Sequence, residues 1–184
     1  MMEDIAMHIL EILMNSIKAG ATMIRLKIRD SFDDDIISIS IEDNGCGMDE
    51  EMAAKAADPF TTSRTTRRIG MGLSFMKGLA ETCGGTFRLS SEPGVGTLVE
   101  ASVQKLNIDT PDLGDIGEIM MESIQSDESI DYILEYKTDY NEFTFESEAV
   151  KKELEGVSLL EPEILLWIKD YINQGIEQAK EDTQ

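Results

Sequence analysis

Apolar and polar positions alternate with two different periods along this 184-residue chain. Over residues 3–18 the period is helical. Ile5, Ile9, Ile12, Leu13 and Ser16 share one face, while His8, Glu11, Asn15 and Lys18 cluster on another. Ala19-Gly20-Ala21 ends that helix. The period then drops to two through TMIRLKIRD (22–30) and DIISISIED (35–43), an antiparallel pair joined by the polar turn Ser31–Asp34. A short helix is expected around 49–57, a Thr/Arg-rich loop from 58 to 69, and a helix over 72–83 that stops at Gly84-Gly85. GTFRLSS (85–91) and GTLVEASVQ (96–104) make a second hairpin across Glu92–Val95. Helix, two strands, loop, helix, two strands is the order of an α+β fold. The expected form is a two-layer sandwich, a mixed and mostly antiparallel sheet with its helices on one face.

Beyond Asn107 the pattern continues with shorter elements. A helix is expected over 114–125, two short strands are separated by Asp139–Asn141, and helices follow over Glu148–Leu154 and Pro162–Ala179. The last helix is read with Ile164, Leu165, Trp167, Ile168, Tyr171 and Ile172 as its apolar side. Charge changes at the same place. Residues 1–106 hold 16 acids and 11 bases, whereas residues 107–184 hold 21 acids and 5 bases, out of a net −21 for the chain. The organisation expected is therefore a core domain over 1–106 and a small acidic α+β C-terminal extension over 107–184. So acidic a surface repels nucleic acid, whose phosphates a binder has to attract. The acidic extension reads either as a solvated face or as a docking surface for a basic protein partner.

No apolar run approaches the roughly 20 residues that cross a bilayer, and MMEDIAMH carries acids where a signal peptide carries Lys or Arg. A cytoplasmic protein without membrane contact is expected. Cys46 and Cys83 lack metal-ligand spacing and read as reduced thiols used in packing.

Four patches carry candidate chemistry. Glu11 and Asn15 stand four apart on the first helix, so a carboxylate and a carboxamide lie one turn from each other on one face. The amide oxygen suits a hard cation such as Mg²⁺, and the carboxylate suits a base that deprotonates an attacking hydroxyl. Lys18, a turn further on, can meet a phosphate as a point charge. Asp43-Asn44-Gly45-Cys46-Gly47-Met48 ends a strand with a carboxylate able to accept from a base amino group, though the same residues also spell an ordinary Asn-Gly turn. Arg67-Arg68-Ile69-Gly70-Met71-Gly72 opens a helix, and Arg64 precedes it. Glycines there admit phosphate to backbone N–H groups, and the arginines read as a lid over a triphosphate. Gly94-Val95-Gly96-Thr97 lies in the second hairpin, where the Thr97 hydroxyl can reach the same base as Asp43.

Taken together, these motifs resemble the GHKL (Bergerat-fold) ATPase and kinase superfamily. HILEILMNSIKAGATMIRLKI followed by IEDNGCGM resembles the opening of MutL-type ATPases. DPFTTSRTTRRIGMGLSFMKGLAETCGGTFRLSSEPGVGTLVEASV looks more like the catalytic domain of histidine kinases. The resemblance spans residues 5–104 and implies ATP and Mg²⁺ as ligands. It implies Asn15 on Mg²⁺, Asp43 on the adenine amino group and Thr97 in support of that contact. Gly45, Gly47, Gly70 and Gly72 would shape pocket and lid, Lys18, Arg64, Arg67 and Arg68 would meet the phosphates, and Phe60 would be the lid aromatic.

Within that family Glu11 discriminates. Its position carries the general base in gyrase and MutL ATPases, and a Glu in the related Ser/Thr kinases of anti-sigma type. Typical histidine kinases lack it, because an imidazole nucleophile needs no carboxylate base. The single histidine, His8, sits in the pocket helix, where it reads as a helix-surface residue or as an orienter of Glu11. A cis-acting sensor kinase and a DNA-coupled clamp are both disfavoured, the latter because acidic residues stand where a transducer domain would follow. Three functions stay open: a stand-alone ATPase or Ser/Thr kinase acting on a protein partner; a nucleotide-responsive binding module with little turnover; and a histidine-kinase catalytic domain working in trans. EFTFESEAVKKELEGVSLLEPEILLWIKDYI in the extension is similar to the tails of small ATP-binding proteins found with iron hydrogenases and NADH-linked electron-transfer complexes, which implies a redox-linked regulatory setting.

Overall fold

The computed structural model describes residues 4–58 and 71–181. Helix α1 (Ile5–Lys18) leads into strands β1 (Met23–Ser31) and β2 (Ile36–Asp43), then helices α2 (Glu50–Ala56) and α3 (Gly72–Thr82). Strands β3 (Phe87–Glu92) and β4 (Gly96–Gln104) follow. The remaining elements are α4 (Ile116–Ser126), β5 (Asp131–Lys137), β6 (Glu142–Glu146), α5 (Ser147–Glu153) and α6 (Pro162–Lys180). Helix α1 starts where it does because the Asp4 carboxylate accepts from the Met7 N–H at 2.9 Å and caps the first turn.

Among the described residues the strands form one six-stranded sheet in the order β3-β4-β2-β1-β5-β6. All neighbours are antiparallel except β1 and β5, which run parallel with Met23 beside Asp131 and Arg29 beside Lys137. The period of two decides which face is covered. Ile24, Leu26 and Ile28 of β1, Ile37, Ile39 and Ile41 of β2, and Tyr132, Leu134 and Tyr136 of β5 are buried under the helices. Ile5, Ile9, Leu13, Met76, Ile116, Ile168 and Ile172 supply the helical half of that core. The alternate positions, Arg25, Lys27 and Arg29 beside Ser38, Ser40 and Glu135, form the open face of the sheet, where they line a shallow cleft or pair across strands.

Residues 107–181 are built into this sheet. Strand β5 extends it past β1, α4 packs on α1 and α6, and the Asp112 and Leu113 carbonyls accept from the Ile5 and Ala6 N–H groups at the open end of α1. At the far end of β1 the buried Asp30 carboxylate accepts from the Tyr136 hydroxyl at 2.8 Å and pairs with Lys105. Burial, then the Asp30 carboxylate, holds the Tyr136 phenol well above its ordinary range.

Two expectations need correction. The hydropathy pattern puts Trp167 and Tyr171 on the apolar side of the last helix, but the stripe that reaches the core is Leu165, Ile168, Ile172 and Ile176. Trp167 stays 51% and Tyr171 42% exposed. Of the two cysteines only Cys83 is a buried packing residue; Cys46 is exposed.

Candidate functional site

The end of β2 and the start of β4 meet in register, with Asp43 opposite Thr97. Asp43 points to the helical face and is 8% exposed. A carboxylate so buried needs partners. Ser16, on the core face of α1, donates its hydroxyl to Asp43 Oδ2 at 2.5 Å, and the Gly45 N–H donates to Oδ1 at 2.9 Å. The carboxylate is thereby held in one orientation beside Thr97, with acceptor capacity left over. The Thr97 hydroxyl lies 2.8 Å from that of Ser91, which in turn accepts from the Met48 N–H at 2.8 Å. The Asp43–Met48 loop is thus tied to both strands of the second hairpin.

That loop is also fixed from below. Asn44 accepts from the N–H groups of Thr22 and Met23 at 2.8 and 3.0 Å and donates to the Thr22 hydroxyl at 2.8 Å. The Cys46 N–H donates to the Ala19 carbonyl at 2.9 Å. Gly47 adopts φ +68, and a Cβ there would fall 2.0 Å from the Glu92 carbonyl oxygen. Only glycine fits a left-handed conformation against backbone at that distance.

Along α1, Glu11 and Lys18 are exposed and Asn15 is partly buried. The N-terminus of α3 lies against this stretch: a Cβ on Gly72 would come 2.8 Å from Glu11 Cβ and 3.7 Å from Asn15 Nδ2. Gly72 is therefore a close-approach residue that brings the first turn of α3, uncapped by any side chain, to the Glu11–Asn15 pair. Asn15 Nδ2 is buried and has no hydrogen-bond partner among the described residues. A carboxamide so placed, beside an exposed carboxylate and a helix start, fits a Mg²⁺–phosphate ligand through its oxygen. No group of three His, Cys, Asp or Glu side chains that could hold a metal is gathered among the described residues.

The structure thus brings together Glu11, Asn15 and Gly72 on one side and Asp43, Gly45, Gly47 and Thr97 on the other, with Lys18 at the end of the helix that links them. Phe60, Arg64, Arg67, Arg68 and Gly70, and with them the predicted lid, lie outside the described residues. His8 is not a helix-surface residue: it is buried, and its Nδ1 has no partner among the described residues. Burial holds its imidazole below the ordinary value, against the opposing pull of the Asp4 carboxylate. Ser16 and Ser91 have no role in the sequence reading, and Asn44 appears there only within the Asp43–Met48 motif. The signal for Ser16 is a lone hydroxyl on an otherwise aliphatic helix face; Ser91 gives none apart from its strand register.

The chain is similar to proteins of known class. The model of the histidine kinase-, DNA gyrase B-, and HSP90-like ATPase family matches residues 3–107. The Non-motile and phage-resistance protein of Caulobacter vibrioides is 35% identical over 100 residues, 50% of this chain and 12% of that protein. The signal transduction histidine-protein kinase AtoS of Escherichia coli is 35% identical over 89 residues, 48% of this chain and 14% of that protein. The chain spans less than two thirds of either relative's length. Among solved structures, the Aquifex aeolicus MutL ATPase domain complexed with ADP shares the fold, with a TM-score of 0.54 at 17% identity, covering 85% of this chain and 69% of that one. The N-terminal domain of a DNA repair protein gives 0.53 at 17%, covering 78% and 52%. No helix among the described residues is long and apolar enough to cross a membrane.

Proposed function

This chain belongs to the histidine kinase-, DNA gyrase B- and HSP90-like ATPase family, and from that premise we propose that it binds Mg-ATP and transfers the γ-phosphoryl to a hydroxyl: water, or a Ser or Thr of a protein partner that it regulates. The observation that carries this reading is Glu11, exposed one turn before Asn15 and against the start of α3. Asp43 accepts from the adenine amino group, with Thr97 beside it. Asn15 would hold Mg²⁺ beside the phosphates, and the ion would supply neutralisation of charge on the transferring group. Lys18, Arg64, Arg67 and Arg68 meet the remaining phosphate charge, and Gly72 gives the phosphates room at the α3 N-terminus. Glu11 accepts the hydroxyl proton as the new O–P bond forms and the bond to ADP breaks.

The test is release or transfer of labelled γ-phosphate by the parent and by Glu11→Gln. The variant should keep ATP binding within about twofold and lose turnover by about 100-fold or more, the usual share of a general base. Label on a partner Ser or Thr identifies a kinase, and phosphate alone an ATPase. A Glu11→Gln variant as active as the parent refutes the assignment.

A second reading, a nucleotide-responsive module with little turnover, is favoured by the way β5 and α4 continue the sheet and helix layer of the nucleotide site. It predicts tight ATP binding without either product. A third, a histidine-kinase catalytic domain acting in trans, draws on the histidine-kinase relatives and predicts acid-labile label on a partner histidine.

A further inference from the structure

The sheet's far edge carries a groove with no part in nucleotide binding. It lies between α5 and α6 over the end of β6 and encloses about 760 Å³. Its apolar wall is Phe145, Val150, Leu154, Ile164, Trp167 and Tyr171. Trp167 and Tyr171 are 51% and 42% exposed, yet they are ordered against each other, their rings stacked at 5.0 Å and 15°. Tyr171 also meets the Phe143 ring edge-on at 5.6 Å. Large apolar rings left half in water, but already fixed by stacking, lose little freedom when a partner covers them.

Charge specifies what fits. Glu146, Glu153 and Glu163 line the groove, and no Lys or Arg does so among the described residues. The α5 wall is preformed: Lys151 donates to the Ile130 carbonyl and the Asp131 carboxylate, both at 3.1 Å. An added β-strand fits poorly, because β6 is a five-residue edge bearing Glu142 and Glu146. A second copy of the chain would set acid against acid.

We infer that this groove docks a basic amphipathic helix of a protein partner, its apolar ridge seated on Trp167 and Tyr171 and its Lys or Arg residues facing the rim glutamates. This rests on the partner-regulating reading above for the existence of a partner, and on nothing in the phosphoryl-transfer step.

The test uses the full chain and a labelled peptide of about four helical turns, with Leu at i, i+3, i+4 and i+7 and Lys elsewhere. Trp167 is the chain's single tryptophan and reports directly on the groove. Saturable binding is expected, with the Trp167 emission moving to the blue. Two variants, Trp167→Ser and Ala149→Arg, each in an exposed stretch of its helix, should weaken the peptide by about tenfold or more. Replacing the peptide's Leu residues with Ser should do the same. ATP affinity, measured on the same variants, should not change, so a failed pocket assignment and a failed groove assignment are distinguishable. The inference is overturned if the groove variants bind the peptide as tightly as the parent. It is equally overturned if the Leu-free peptide binds as well, or if light scattering finds a dimer that already buries Trp167.

Discussion

Replacing Asp43 with Asn isolates one contact. In the parent, Oδ2 accepts from the Ser16 hydroxyl and Oδ1 from the Gly45 N–H. An asparagine of the same shape keeps its oxygen on Gly45 and turns its NH₂ toward Ser16, whose hydroxyl can accept as readily as donate. The fold should therefore lose less than about 1 kcal/mol. The base contact has no such escape, because an amide donor now faces the adenine amino donor. Losing a hydrogen bond to a charged acceptor costs about 1.5–3 kcal/mol, which is about 10- to 150-fold in Kd. Calorimetric titration with Mg-ATP, alongside a thermal melt of the nucleotide-free protein, separates the two effects. Inorganic tripolyphosphate should bind parent and variant alike, since it has no base to read. An Asp43→Asn protein that binds ATP within twofold of the parent would refute the base-contact reasoning.

Gly47→Ala sets a side chain against the Glu92 carbonyl in a left-handed conformation. The backbone penalty alone is about 1–2 kcal/mol, so at about 2–4 °C per kcal/mol for a chain of this size the melting temperature should fall by about 2–8 °C, with ATP binding impaired. His8 resists protonation in the folded state, its value being lowered from 6.5, so the unfolded chain binds more protons below that value. Stability should accordingly be intact above pH 6.5 and fall as the solution is acidified below it; denaturant titrations across that window should show a smaller loss in His8→Gln. Cutting after residue 106 removes β5 and α4 and exposes β1 as an edge and the α4-facing side of α1. That fragment should self-associate on size exclusion at concentrations where the full chain does not.

The local elements were legible because their burial repeats at the period of their own backbone. Ile24, Leu26 and Ile28 alternate along β1, and Ile5, Ile9 and Ile12 recur along α1, so one buried face is written into each segment. The pairing of β1 with β5 was not legible. Neither strand carries a residue that names the other, and the choice is made by helices from distant segments: α4 packs on α1 and α6, and α6 packs on β5 and β6. The same limit produced the misplaced aromatics. The apolar arc of α6 is wider than the surface that covers it, and hydropathy does not tell Ile168 from Trp167. In the candidate site, Glu11, Asn15, Asp43, Gly45, Gly47 and Gly72 are legible by type and spacing. Ser16 acts through its bond to Asp43, 27 residues away, and the burial of His8 is set by the tertiary packing of α1.

The parallel pairing of β1 with β5 also sets a clock. Met23 lies beside Asp131, 108 residues further along the chain. At a synthesis rate of about 5–20 residues per second, β1 leaves the ribosome and then waits for about 5–20 seconds before its outer neighbour exists. Throughout that interval the strand presents alternating isoleucine and leucine with one unpaired edge, the arrangement most open to capture by another nascent chain. Lys27, on the face that later stays uncovered, lacks its Glu135 partner until β5 exists, and this bare charge on the waiting strand discourages pairing with its own kind.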